Sequence, residues 1–322
     1  MGDDEAHLLV KGARDARWTR RSKLIVAAMA ATLAAAIAAA VLIVVIPHPG
    51  SGGSAPGANS GKSCPVAGTT ADSTAAIQAA IRDCAGGGTV SLAAGVYAIS
   101  SHLAVKAAES VKGAGPTLTF IVQHGRQNIF QISSPGVTIE NLNLNTATYN
   151  ASAPIPKNPD PGVLYSNGSN TSISNVTGQA GSGLGMRVTG PNPCDSYPTA
   201  GTLISNVNMT TTGKGGFAAV DVDCTNGALL SNITIHGGIL ALFKDENVTL
   251  TGESFTPGAQ NTPCEPAVYL TGPATNITIS NVTSQGAGLE VKQPATSIVT
   301  HAITAAAACP AIINRAAPSP KA

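Results

Sequence analysis

Residues 228–235 read ALLSNITI. The phrase has four relatives: VTIENLNL at 137–144, TSISNVTG at 171–178, TLISNVNM at 202–209 and ITISNVTS at 277–284. Each alternates apolar and polar side chains and then sets an Asn before an aliphatic residue. Alternation at period two marks a strand with one buried face. Asn141, Asn175, Asn206 and Asn232 are spaced by 34, 31 and 26 residues, and the gap of 49 to Asn281 fits two units of about 25. A degenerate copy, DENVTL with Asn247, falls inside that gap but out of phase. Repeats of this length without regular helical segments exclude helical solenoids and the leucine-rich type, and no Trp-Asp signature supports a propeller. Stacked coils of short parallel strands remain.

The Asn has a physical reason to recur. At a corner between strands it tolerates left-handed backbone geometry. Its side-chain amide can also bond the Asn of the next coil, as stacked Asn ladders do. The Asn-x-Ser/Thr sequons at Asn175, Asn232, Asn247, Asn276 and Asn281 are then by-products of the repeat.

Composition agrees. Net charge is +1, charged residues are 11 % and aromatics 3 %, while 35 residues are Gly. This suits a many-turned β architecture and gives no sign of a nucleic-acid partner. The six cysteines, Cys64, Cys84, Cys194, Cys224, Cys264 and Cys309, show neither a C-x-x-C nor zinc spacing, so they read as disulfides formed in an oxidising compartment. Six cysteines leave fifteen pairings open.

The first sixty residues are of another kind. Residues 24–46, LIVAAMAATLAAAIAAAVLIVVI, carry no charge. As a helix they are long enough to cross a hydrocarbon core of about 30 Å. Six Lys and Arg precede the run, from Lys11 to Lys23, and none follows before Lys62. The expectation is a cytoplasmic tail at 1–23, a single transmembrane helix at 24–46 and everything beyond it outside the cell membrane. A cleaved signal peptide is the alternative, but its apolar region spans about 7–15 residues and this one is longer. Residues 47–63, rich in Gly, Ser and Pro, read as a flexible linker. The coiled domain is expected over 64–312, with a disordered tail at 313–322.

Residues 72–88, DSTAAIQAAIRDCAGGG, form the best helix outside the apolar run. Asp72 or Ser73 caps it, Ile77 and Ile81 share one face, and Gly86–Gly88 end it. TVSLAAGVYAIS follows at 89–100, and VKGAGPTLTFIV at 111–122 has the same strand–turn–strand character. Its GAG is read as a turn.

Together these stretches resemble the opening of the pectate-lyase-like, right-handed parallel β-helix superfamily. They are most similar to the group of rhamnogalacturonases, polygalacturonase-like hydrolases and related epimerases. The resemblance implies an all-β solenoid whose N-terminal end is covered by the short capping helix. It also suggests Cys64–Cys84 as a pin on that cap, with Cys194–Cys224 and Cys264–Cys309 completing the set. The family expectation of a Pro before the Ala-Gly turn is not met: Ala93 stands there. The fold hosts hydrolases, lyases, epimerases, phage spikes and inert surface proteins, so it does not settle function.

Chemistry is expected at AAVDVDC, residues 218–224. Val220, Val222 and Cys224 share the core face, so Asp221 and Asp223 project outward, about 6.5–7 Å apart along the strand. Inverting glycosidases separate their carboxyls by about 6.5–9.5 Å. The polygalacturonase-like hydrolases add a Gly-His-Gly and an Arg-x-Lys. Here His236 in IHGG and Lys292 in LEVKQ echo these, with Ile235 and Glu290 in the places of the Gly and the Arg. The expected catalytic set is therefore Asp221, Asp223, His236 and Lys292. No cofactor is expected for a hydrolase; a lyase would use Ca²⁺ between carboxylates and an acidic sugar. Arg187 in GMRV is the candidate lyase base or substrate contact. Tyr149, Tyr165 and Phe217 are the expected sugar-stacking residues, with the loop 145–168 as a cleft wall. Set against this is a solvated-aspartate reading, in which the pair does no chemistry. The expected function is a monomeric, membrane-anchored protein acting on polysaccharide as a glycoside hydrolase or lyase. The rival is a non-catalytic, carbohydrate-binding or scaffolding β-helix.

Overall fold

The computed structural model describes residues 61–68, 71–125, 127–146, 162–181, 184–190, 194, 199–211, 218–258, 264–293 and 295–315. The apolar run 24–46, Tyr149 and Phe217 lie outside them. Among the described residues no helix is long and apolar enough to cross a membrane.

Two sheets run the length of the coiled domain, one of 15 strands and one of nine, and every pairing between neighbours is parallel. Each coil contributes a long strand to the first sheet and a short one to the second. This is the parallel β-helix that the resemblance implies. The nine rungs of the second sheet end with Ile312–Asn314, so the last rung takes in two residues of the expected tail.

Alternation builds the core. Ile139, Ile173, Ile204, Leu230, Leu250 and Ile279 follow one another from coil to coil in a single column. All six are fully buried.

The corners obey the Asn rule, in two columns rather than one. Asn141, Asn175, Asn206, Asn232 and Asn281 all have positive φ. Between Asn232 and Asn281 the missing rung is Gly252, with φ +73°. A Cβ there would lie 2.8 Å from Asn232 Oδ1, so a side chain at this rung would have to displace that amide. Asn247 belongs to a second corner with Asn170 and Asn276, also at positive φ, which explains why it falls out of phase. Side-chain amides link neighbouring coils: Asn175 donates to Asn141 at 2.7 Å, and Asn276 to Asn247 at 2.6 Å.

The cap is the helix Thr74–Cys84, which buries Ile77, Ala80, Ile81 and Cys84. Asp72 rather than Ser73 makes the side-chain cap, its Oδ1 accepting the Thr74 N–H at 2.9 Å. Hydrogen bonds from Ser100 and Thr74 hold the Asp72 carboxyl down at about 2. Cys64–Cys84 ties this helix to the first strand, Cys194 joins Cys224, and Cys264 joins Cys309.

Candidate functional site

The strand Ala218–Asp223 lies in the second sheet, between Met186–Thr189 on one side and Ile239–Phe243 on the other. Val220 and Val222 are fully buried in the core. The aspartates alternate with them and face outward. Outward here does not mean wet: Asp221 is 8 % exposed and Asp223 4 %. The preceding coil supplies part of the cover. Arg187 stands opposite Asp221 in the ladder, and Thr189 opposite Asp223. One rung is about 4.8 Å, so an arginine side chain reaches both carboxyls.

Arg187 clamps them. Its Nε donates to Asp223 Oδ2 at 2.9 Å, and its Nη2 bonds the same oxygen. The same Nε lies 3.3 Å from Asp221 Oδ2. Two oxygens held this close to one nitrogen cannot keep the separation of about 6.5–9.5 Å that inverting glycosidases use. The Cα spacing along the strand sets the backbone, but the shared guanidinium draws the side chains together. Asp221 and Asp223 are also close enough for each carboxyl to act on the other.

Burial pushes the Asp221 carboxyl up to about 8, the neighbouring Asp223 charge adds to this, and Arg187 opposes it. At neutral pH Asp221 therefore keeps its proton. Burial works against the Arg187 charge, but Asp223 and Asp221 more than offset it, and the guanidinium is held above its usual range. Behind the pair, Asp245 is fully buried. Its Oδ1 accepts the Thr225 N–H at 2.8 Å and the Thr225 hydroxyl at 2.9 Å, fixing the turn just after Asp223. Its burial raises its pKa well above the usual carboxylate range, and Asp223 contributes to the rise.

The other expected residues divide. Tyr165 stands opposite Arg187 in the ladder. His236 ends the strand Leu229–His236 of the first sheet, beside Thr210, and is exposed. It makes no described hydrogen bond or ion pair with either aspartate. Lys292 follows the strand Ala287–Val291, three strands along the second sheet from the aspartates. That is about 14 Å away at one rung per strand. The structure thus groups Tyr165 and Arg187 with the pair and leaves His236 and Lys292 apart from it. The cationic Arg187 lies against Oδ2 of both carboxyls and opposes a second cation such as Ca²⁺ there. Among the described residues no cluster of three metal-ligating side chains occurs.

Sequence reasoning did not find the clamp. Asn175 precedes Arg187 by 12 residues, while Asn206 precedes Asp221 by 15. Loops of unequal length separate corner from strand, so the register of one short strand on the next cannot be counted from the repeat. Asp245 was missed because a carboxyl beside Lys244 reads as an ordinary surface pair.

No protein-family model matches the chain, and a search of curated proteins finds no match. Among solved structures the chain is similar to a pectin methylesterase from Erwinia chrysanthemi, at 11 % identity over 68 % of this chain and 79 % of that one, TM-score 0.44. It is similar to the tailspike protein of Acinetobacter baumannii phage AM24, at 13 % identity over 74 % of this chain and 52 % of that one, TM-score 0.41. It is also similar to the A-module of a mannuronan C-5 epimerase from Azotobacter vinelandii, at 16 % identity over 79 % of this chain and 98 % of that one, TM-score 0.33. Likeness at these scores carries no argument about activity; the architecture rests on the chain's own strand ladder.

Proposed function

We propose that the coiled domain is a carbohydrate-active hydrolase whose reacting groups are Asp221 and Asp223, with Arg187 as their clamp. One observation carries the reading: on the outer face of the solenoid two nearly buried carboxyls lie against the same Arg187 nitrogen. Two carboxyls that share one proton act together as acid and base, as in the aspartic-protease dyad. The polymer is suggested by the track. Side chains of the second sheet stand in line, one per coil, along the solenoid axis.

The bond follows from the spacing. Glycosidic cleavage needs carboxyls about 5 Å apart or more, on either side of the sugar carbon. Two carboxyls drawn to one guanidinium nitrogen fit hydrolysis of an acyl substituent better. Asp221 donates its proton to the carbonyl oxygen while Asp223 takes one from the attacking water. As the adduct collapses, Asp223 passes that proton to the departing alkoxyl oxygen and the adduct's hydroxyl returns one to Asp221. The acid is released and the sugar hydroxyl remains. Lyase chemistry with Arg187 as base is disfavoured, because the ion pair with Asp223 holds its guanidinium charged.

The full chain is tested on esterified and unesterified polysaccharides, reading released acid, new reducing ends and unsaturated products. Ester hydrolysis lost in both Asp221→Asn and Asp223→Asn is the expected result. Reducing ends lost in both variants would instead restore the glycosidase reading. The non-catalytic reading is favoured by the near-complete cover of Asp223 and its ion pair with Arg187. It is what remains if no polymer yields any product.

A further inference from the structure

We propose that the last coil of the solenoid is an interface between two copies of this chain, which pair antiparallel along the strand Ala295–Thr304 about a twofold axis. The inference is independent of the hydrolase reading above, and it reverses the monomer expected from the sequence.

The two ends of the solenoid are finished differently. At the first, the helix Thr74–Cys84 covers the core, and the outermost strand, Ser63–Val66, is short and carries Pro65. Natural sheets blunt their edges with such devices. At the other end, Ala295–Thr304 is ten residues long and pairs only with Ala274–Ser284 among the described residues. Its outer row of backbone N–H and C=O groups has no described strand beside it. Nothing in the sequence blunts this edge: residues 295–314 contain no Asp, Glu, Lys or Arg, and no Pro falls within the strand. Thr296, Ile298, Val299, Thr300, Ile303 and Thr304 are β-branched, which suits pairing. A long, uncharged edge is a template for another strand.

The core is open at the same end. Ile298 stands on Ile277 and Ile303 on Val282. Ile277 and Val282 are buried, whereas Ile298 and Ile303 are only partly so. Val299 is 44 % exposed, and Ile312, on the last rung of the second sheet, 48 %. A strand paired antiparallel with its own copy sets inward side chains beside inward ones, so sheet and core both continue across the axis. The strand spans about 33 Å and the coil about 20 Å across its two sheets, so each copy buries roughly 600–700 Å². The two together exceed the roughly 1,000 Å² that a specific interface needs. With no formal charge on the coil, nothing repels like from like across the axis. Head-to-tail stacking is blocked by the cap helix at the other end. Residues 316–322, AAPSPKA, hold two Pro and are poor material for a ladder strand.

Sedimentation equilibrium of the full chain in a mild detergent reads the copy number, and the wild type should be a dimer. The twofold axis falls near the middle of the strand, so the Val299 side chains of the two copies lie close. Val299→Lys and Val299→Glu, at a position exposed in the single chain, should each weaken the dimer about a hundredfold through like-charge repulsion. An equimolar mixture of the two variants should restore it, which damage to the fold cannot do. A monomeric wild type overturns the proposal, and a dimer that then appears on removal of 316–322 assigns the edge to that segment instead. A wild-type dimer unmoved by both substitutions places the contact elsewhere, such as the apolar run 24–46, and likewise overturns it. Variants that are monomeric apart and stay monomeric when mixed overturn the twofold pairing.

Discussion

Glu253 occupies a place that every neighbouring coil gives to an aliphatic residue. Ser231 pairs with Thr251 and Thr234 with Ser254, so Glu253 falls opposite Ile233; on its other side it meets the rung of Val282. Its side chain is 2 % exposed, and neither carboxyl oxygen has a hydrogen-bond partner. Burial alone raises its pKa well above the usual carboxylate range. A buried polar group without a partner costs about 1–3 kcal/mol. Glu253→Val should therefore raise stability by about that amount, read as the urea midpoint at neutral pH. Unchanged stability would mean that the carboxyl is satisfied in solution. Asn232 is the opposite case. It is tolerated because the corner needs φ +53°. Asn232→Ala places an ordinary side chain in left-handed geometry and removes the bond to Asn206, at a cost of about 1–2 kcal/mol. Asn232→Gly keeps the geometry and should cost less. The Asn corners were legible in the sequence because the residue type states the backbone it permits. Glu253 was not, since a carboxyl in an alternating strand is read as surface until the register is known.

At the scale of elements, the strands and the cap helix were readable and their alignment was not. ALLSNITI announces its own buried face through alternation, and DSTAAIQAAIRDC its apolar stripe. Which residue of Met186–Thr189 stands on which residue of Ala218–Asp223 is set by the lengths of intervening loops, and these carry no periodic signal. The Arg187 clamp is a product of that alignment alone. The Cys194–Cys224 bridge bears on the same alignment, since Cys224 follows Asp223 directly and has φ +55°. Replacing both cysteines by Ser removes that tie, and the expected outcome is loss of hydrolysis with the second sheet otherwise intact by circular dichroism. Full activity in that variant would show that Asp245, through Thr225, suffices to hold the turn. The Cys64–Cys84 bridge is remote from the aspartates and acts on stability. Its removal should cost about 3 kcal/mol, in the chain-entropy account of a loop of this size, and leave substrate affinity unchanged.

The whole molecule should respond to pH in the reverse of the common acid-labile pattern. Its raised carboxyls are Glu109, at about 7, Asp221, at about 8, and Asp245 and Glu253, both well above the usual range. Each is raised first by burial. In the unfolded chain such groups lose their protons near pH 4, while in the folded one they keep them. Between about pH 4 and 8 the folded state therefore binds more protons than the unfolded state, and stability falls as pH rises. Asp72 works the other way: held at about 2 in the folded state, its contribution is lost only as pH drops below its ordinary value. The unfolding temperature should thus be highest at about pH 4–5 and decline steadily toward pH 8. Differential scanning calorimetry across that range checks the slope. Glu109→Gln, with both buried oxygens already unpartnered, removes one titrating group and should flatten the slope between about pH 4.5 and 7. Asp221→Asn should flatten it up to about pH 8. If hydrolysis fades over the rise through pH 8 in the wild type, the proton that stabilises the fold and the proton that serves the reaction are one. A stability curve that climbs from pH 4 to 8 would show that these carboxyls are ionised in the folded chain, and would take the proton donor away from Asp221.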